Sequence, residues 1–409
     1  MGFAMESDTK SIEQFEVMGQ ENKKKKPKKI KSLSSSSSSL IGCFKSDLGY
    51  PTVEESDDLG NFDIKSALTD SFLNSSPTHL VVTVNGIIGS AHDWRYAAKQ
   101  FLSRYPEDVI VHCSECNYSM LTFDGIDVMG SRLADEVVSV VKRYPDLQKI
   151  SFIGHSLGGL IARYAIAKLY SEDFKKPTSQ DNGEPDRFEK PFRDEKTEGK
   201  IAGLEPVNFI TSATPHLGLR GHKQVPLFCG IQYLEKLALY ISWLLGRTGK
   251  HQFLADTEDE KPPLLLQMTQ DCEDLKFISA LQSFKHCVAY SNTCYDYVVG
   301  WRTSSIRRQN ELPKHLSANN RYPHIVNEET AKINGSNVEP QVNGSITDDI
   351  ELEEAMIEGL NKVSWERVDV SFSGSKQRFF AHSTIQVKTP SIHSDGADVI
   401  QHMVDKFLL

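Results

Sequence analysis

The sequence predicts an α/β fold, a mostly parallel central sheet with helices on both faces. Three observations predict it. Short runs rich in β-branched residues recur along the chain (Leu80–Val84, Val109–His112, Lys149–Ile153, Val207–Ile210, Lys285–Tyr290). Between them lie segments with apolar residues at helical spacing, as at Leu133, Val137, Val138 and Val141. The alternation leaves room for crossover helices between successive strands, so the strands pair in parallel and bury both sheet faces.

In chain order, the ordered part is expected to begin at His79. Leu80–Val84 reads as a buried strand that ends in the turn signal Asn85-Gly86. Trp94–Tyr105 reads as a helix, Val109–His112 as the next strand, and Gly125–Tyr144 as an amphipathic helix that Pro145-Asp146 stops. Lys149–Ile153 is a third strand, followed by a helix over Leu160–Tyr170. Residues 172–200 are polar and rich in Lys, Glu, Asp and Pro, which marks a surface insertion. Val207–Ile210 and Lys285–Tyr290 continue the sheet. Residues 303–362 form a second insertion with an acidic helix near Asp348–Leu360. Trp365–Phe372 and Gln377–Phe380 read as strands, paired as a hairpin across Ser373-Gly374, and Ala397–Leu409 as a closing amphipathic helix.

Residues 1–76 read as a disordered leader. A compact basic run, Lys23–Lys31, precedes six consecutive serines from Ser34 to Ser39, and such a segment buries too little apolar area to offset its ordering entropy. A solvated tail is the plain reading, and docking of the basic run on an anionic membrane or its use as a nuclear address are the functional ones. The remainder, 77–409, reads as one domain. With 409 residues, 39% of them hydrophobic and 25% charged, the chain can bury a full core.

A formal net charge of −9 argues against a nucleic-acid binder. Seven cysteines, an odd number with no signal peptide before them, point to free thiols in a reducing compartment, hence a cytoplasmic protein, peripheral on a membrane if the basic run docks. Cys113 and Cys116 form a lone CxxC with no second pair to complete a zinc set. No stretch reaches the ~18 consecutive apolar residues that a membrane span needs. Leu234–Leu245 is an apolar helix of twelve residues, either core or a lid that faces a membrane.

Gly154-His155-Ser156-Leu157-Gly158 stands between a predicted strand and a predicted helix. In that context G-x-S-x-G is a nucleophile elbow: a sharp turn exposes the serine hydroxyl at the carboxyl edge of the sheet, and small flanking residues let helix and strand approach. A serine hydroxyl needs a base to take its proton. Two histidines lie after the last strand and before the final helix, His382 and His393, and His382, placed directly after a strand, is preferred. The orienting acid should stand between serine and histidine in the chain, at a strand end. Asp296 fits, the plain alternative being a turn aspartate that caps the segment from Trp301. Asp369 alternates within a strand, and Asp271 and Asp274 read as helix-start residues. An oxyanion hole needs two backbone N–H groups; Leu157 supplies one and Ile87, in the loop Asn85–Gly89, the other. No metal or organic cofactor is implied, because this chemistry needs only water.

Six segments carry a resemblance: Val84–Gly89, Gly125–Ala134, Phe152–Leu160, Ala213–Gly218, Val299–Ser304 and Ala381–Ile385. The chain resembles the putative serine esterase family, a lipase-like branch of the α/β-hydrolases, and in detail its plant members. The resemblance spans residues 79–409. It implies an α/β-hydrolase fold with a lid-like helical insertion, and an esterase or lipase with Ser156, Asp296 and His382 as its triad. One departure is Asn85, where lipases usually carry histidine; the oxyanion donor is a backbone group, so the departure bears on substrate preference. By the same resemblance the Ala213–Gly218 segment lines the acyl site, with His216 as pocket lining or structural. The substrate expected first is a lipid acyl ester. A small-molecule ester, a thioester or a protein-bound acyl group is the alternative, and a non-catalytic scaffold the third reading.

Overall fold

The computed structural model describes residues 52–56, 62–66, 76–170, 199–220, 244–257, 261–313, 317, 319–330 and 349–409. The Lys23–Lys31 run, residues 172–198 of the insertion near 172–200 and nearly all of the 234–245 segment, with its lid reading, lie outside them.

Among the described residues, nine strands, numbered in chain order, form one sheet in the order β1-β2-β4-β3-β5-β6-β7-β9-β8. They are β1 (Thr52–Ser56), β2 (Phe62–Ser66), β3 (His79–Val84), β4 (Val109–Cys113), β5 (Lys149–His155), β6 (Glu205–Ser212), β7 (His286–Asn292), β8 (Ile325–Glu329) and β9 (Trp365–Val370). The six from β3 to β7 and β9 pair in parallel, and β1, β2 and β8 run antiparallel at the two edges.

The parallel strands are apolar on both faces because both are covered. On one face Leu80, Val82, Phe152 and Phe209 pack with Leu133 of α2 (Ile126–Arg143), Leu160 of α3 (Leu157–Leu169) and Ile278 of α6 (Phe277–Gln282). On the other, Val81, Ile153, Ile210 and Val368 pack with Phe101 of α1 (Arg95–Arg104) and Met403 of α10 (Ala397–Asp405). Neighbouring residues of a strand point to opposite faces, which is why Leu80 and Val81 enter different cores. The other helices among the described residues are α4 (Gly246–Gln252), α5 (Leu264–Gln267), α7 (Trp301–Ser305), α8 (Asp349–Leu360) and α9 (Ala381–Thr384).

Three expectations are corrected. The leader does not end at residue 76, because β1 and β2 belong to the sheet. Asp63 of β2 stands opposite His112 of β4, with its carboxylate 2.6 Å from His112 Nδ1. That pairing is invisible in a Ser- and Lys-rich segment read locally. The 303–362 segment is no mere insertion, since it supplies β8, which extends the sheet along β9. Gln377–Phe380 is not a strand: Arg378–Phe380 is a 3₁₀ turn that runs into α9. Alternation over four residues cannot separate these two conformations.

Candidate active site

The chain leaves β5 at His155 and enters α3 at Leu157, so Ser156 alone makes the turn, with φ 54° and ψ −129°. This is strained backbone for a residue with a side chain. The flanking glycines are steric requirements. A Cβ on Gly158 would stand 2.3 Å from the carbonyl oxygen of Val84, and one on Gly154 would stand 2.6 Å from the Gly159 backbone. The Ser156 N–H donates to Ser212 O at 2.9 Å, which pins the elbow to the end of β6.

His382 lies on α9, and its Nε2 is 3.0 Å from Ser156 Oγ. Its Nδ1 is 3.0 Å from Asp296 Oδ2. Asp296 follows β7 by a short loop and is buried. Its Oδ1 accepts the N–H groups of Val298 (3.0 Å) and Val299 (2.9 Å), and Oδ2 also accepts the amide of Asn292 at 2.9 Å. Burial alone would raise its pKa. The charge and hydrogen bond of His382, with the Val299 N–H and the Asn292 amide, outweigh burial and hold it below the ordinary carboxylate value. A carboxylate held at Nδ1 keeps the proton of His382 there and leaves Nε2 free to accept from the serine.

His393 is elsewhere: it is buried, its Nδ1 accepts the Thr389 N–H at 3.0 Å, and its ring packs against Phe380. Asp369 is engaged by Arg307 at 2.5 Å and by Trp301 Nε1 at 2.7 Å. Asp271 accepts the Ile278 and Ser279 N–H groups at the start of α6. His216 is wholly buried, with Nε2 3.0 Å from Thr211 Oγ1 and its ring against Trp365. Burial holds its pKa well below the ordinary histidine value, so it is a neutral core residue.

The loop after β3 is held from several sides. Gly89 N–H closes a turn onto Gly86 O at 3.0 Å, Ile88 N–H donates to Thr122 Oγ1 at 3.0 Å, and the Asn85 amide donates to Asn117 O at 3.1 Å. Asn85 thus acts here as a brace for the backbone. Among the described residues, the N–H groups of Ile87 and Leu157 donate no hydrogen bond within the protein. Leu157 opens α3, where a first-turn N–H has no partner in the helix.

The CxxC does not read as reactive. Asn117 donates to Cys116 Sγ at 3.3 Å, and burial pushes the Cys116 thiol up. Among the described residues no group of three or more His, Cys, Asp or Glu could hold a metal ion, and no helix is long and apolar enough to cross a membrane. Two residues at the site are given no role by the sequence reading. Asn292, at the end of β7, holds the acid. His155 donates from Nε2 to the backbone carbonyl of His382 at 2.6 Å; its one clue was its place beside the serine.

A strained serine, a histidine within reach of its oxygen and a buried carboxylate behind that histidine form the arrangement that serine hydrolases use, set on an α/β-hydrolase sheet. The chain belongs to the putative serine esterase family (DUF676), whose profile matches residues 74–306. It is similar to the putative lipase ROG1 of Saccharomyces cerevisiae, 29% identical over 233 residues that make up 56% of this chain and 28% of that protein. The putative lipase C4A8.10 of Schizosaccharomyces pombe is 26% identical over 247 residues, 58% of this chain and 27% of that one. The chain thus spans less than a third of the length of these relatives. Among solved structures, carboxyl esterase 2 of Tuber melanosporum aligns with a TM-score of 0.40 at 12% identity, covering 91% of this chain and 89% of that one. An esterase of Thermogutta terrifontis aligns at 0.35 and 10% identity, covering 84% and 88%. Likenesses this distant bear no weight for the site.

Proposed function

We propose that this chain is a serine esterase that cleaves carboxylic esters, with lipid acyl esters as its substrate class, through Ser156, His382 and Asp296. The observation that carries the reading is the continuous hydrogen-bonded line from Asp296 through His382 to Ser156, 3.0 Å at each histidine nitrogen. Ser156 Oγ attacks the ester carbonyl carbon while His382 Nε2 takes its proton, and Asp296 stabilises the imidazolium that forms. The oxyanion of the tetrahedral intermediate accepts the N–H groups of Ile87 and Leu157, next to the positive end of α3. His382 then protonates the leaving alcohol. In the second half the same nitrogen deprotonates a water molecule that attacks the acyl-enzyme carbonyl.

The lipid part rests on the rim. Ile88 in the loop after β3, Met120 after β4, and Phe379 and Phe380 in the turn before His382 are each more than half exposed. All four belong to loops at the carboxyl edge of the sheet, where Ser156 stands. Apolar side chains left in water around a reactive serine suit an apolar acyl chain. The six matching segments support a place among the plant members of the family. A peripheral membrane contact through Lys23–Lys31 and the 234–245 segment, and a cytoplasmic location, complete the reading on composition alone.

A fluorophosphonate probe should label the protein at Ser156. Ser156→Ala should stay folded and lose hydrolysis by several orders of magnitude, as should His382→Ala, whereas His393→Ala should keep most of the activity. Labelling that persists in Ser156→Ala would remove the assignment.

A further inference from the structure

We propose that His155 is a positioning residue for this reaction, its ring holding the backbone of His382 so that the base stays aligned on Ser156. The inference rests on the triad reading above and deepens it. His155 is the last residue of β5 and the immediate neighbour of the nucleophile. Its Nε2 lies 2.6 Å from the His382 carbonyl oxygen. A carbonyl can only accept, so Nε2 carries the hydrogen and donates it. The two imidazoles also lie against each other in a tilted arrangement, with centroids 4.8 Å apart and planes inclined at 52°.

The need for such a contact follows from where the base stands. Ser156 is set by β5 and α3, and Asp296 by the end of β7, but His382 lies on a four-residue helix that follows an irregular turn. No sheet hydrogen bond orients it. A bond from His155 to the carbonyl of His382 ties that short helix to the strand that carries the serine. The other edge of the ring faces the loop after β3: a Cβ on Gly86 would stand 3.4 Å from His155 Nδ1 and 3.0 Å from Ser156 Cβ. One ring therefore spans the elbow, the base and the loop that presents Ile87. Burial, then the proximity of His382, holds the pKa of His155 down to about 3, so the ring stays neutral beside a base that must become cationic.

Three substitutions test this on the full chain with a soluble short-chain ester. His155→Phe keeps a ring and removes the donor. His155→Gln places an amide N–H at the level of Nε2, and His155→Asn at the level of Nδ1. His155→Phe should lower kcat about tenfold to a hundredfold, the scale of a misplaced catalytic group, with KM changed less than about twofold. Its melting temperature should match wild type, and the rate of fluorophosphonate labelling should fall with kcat. His155→Gln should recover most of the rate and His155→Asn should not. A buried ring that only fills space would follow volume and give the opposite ranking of Phe and Gln. The proposal is overturned if His155→Phe turns over at the wild-type rate, or if Gln is no better than Phe at equal stability. Should the Phe variant fail to fold, Gln against Asn decides: equal rates overturn the proposal and a faster Gln variant upholds it. Ser156→Ala and His382→Ala run alongside. If they retain activity, the triad itself is at fault; if they lose it while His155→Phe does not, only the positioning role falls.

Discussion

At the scale of single residues, the surroundings of Asp296 decide what an isosteric change there would do. Its Oδ1 accepts two backbone N–H groups, from Val298 and Val299. In Asp296→Asn the carbonyl oxygen of the amide must stay at that position, since an NH₂ group there would face two donors. The NH₂ group then points at His382 Nδ1, which can only accept from it, so the ring proton moves to Nε2 and the base can no longer take the proton of Ser156. Asp296→Asn should therefore stay folded and lose about 10⁴-fold in kcat. A loss below about tenfold, measured on a soluble ester, would mean that Asp296 is a turn residue and no more. The Asn292 amide, which donates to the same carboxylate, would also face the new NH₂ group.

At the scale of elements, β2 is held by an ion cluster at its face. His112 is fully buried in β4, with Nδ1 2.6 Å from Asp63 Oδ1 and Nε2 3.4 Å from Glu136 Oε1. Tyr144 donates to Asp63 Oδ2 at 2.9 Å and Arg143 lies 3.1 Å from it. Burial disfavours the imidazolium, but the hydrogen bond to Asp63 and the nearby Glu136 carboxylate outweigh it and push His112 up to about 9. Both carboxyls are held below their ordinary values by His112, although burial alone would raise them. The folded value of His112 thus lies above the ~6.5 of an unfolded chain. Its contribution to stability is full below about pH 6.5 and is lost as pH rises through about 9. The share of the carboxylates runs the other way, present above their ordinary values near ~4 and lost as pH falls through the lowered folded ones. Denaturant unfolding of the whole chain should show stability declining from about pH 6.5 to 9. Asp63→Ala should cost about 3–5 kcal/mol at neutral pH, because it strands a buried charge, and should remove most of that decline. A flat profile in the wild type would mean that His112 is neutral in the fold.

For the whole molecule, the question is what the apolar rim is for. If acyl chains lie against it, each methylene that leaves water contributes about 0.8 kcal/mol, close to fourfold in binding. The specificity constant should then climb from acetyl toward medium and long acyl esters until solubility limits it. Phe379→Ser and Phe380→Ser should flatten the climb and spare short esters, since both side chains are exposed and their loss opens no core cavity. A profile that peaks at acetyl and falls with length would remove the lipid reading and favour small-molecule or thioester substrates.

What could be read from the amino-acid order was what neighbours along the chain decide. The elbow is local chemistry: a serine between two glycines that must lack Cβ atoms, after a β-branched run and before a helix. The parallel sheet is local too, because alternation of short apolar strands with amphipathic helices leaves few other ways to bury both. Asp296 could be singled out because an acid after β7 stands at the correct edge of such a sheet. Contacts between distant residues were beyond that reach. Ser156 and His382 are 226 positions apart; the sequence favours His382 over His393 because a strand is expected before it, whereas a 3₁₀ turn precedes it and its imidazole lies 3.0 Å from both Ser156 Oγ and Asp296 Oδ2. The segment before residue 76 is polar and reads as solvated, yet Asp63 stands in the sheet with its carboxylate on a histidine 49 positions away. His155 reads in sequence as one more flank of the serine. Only when α9 folds back does its Nε2 meet a carbonyl, because a hydrogen bond depends on where two atoms finish in space, and no local pattern specifies that.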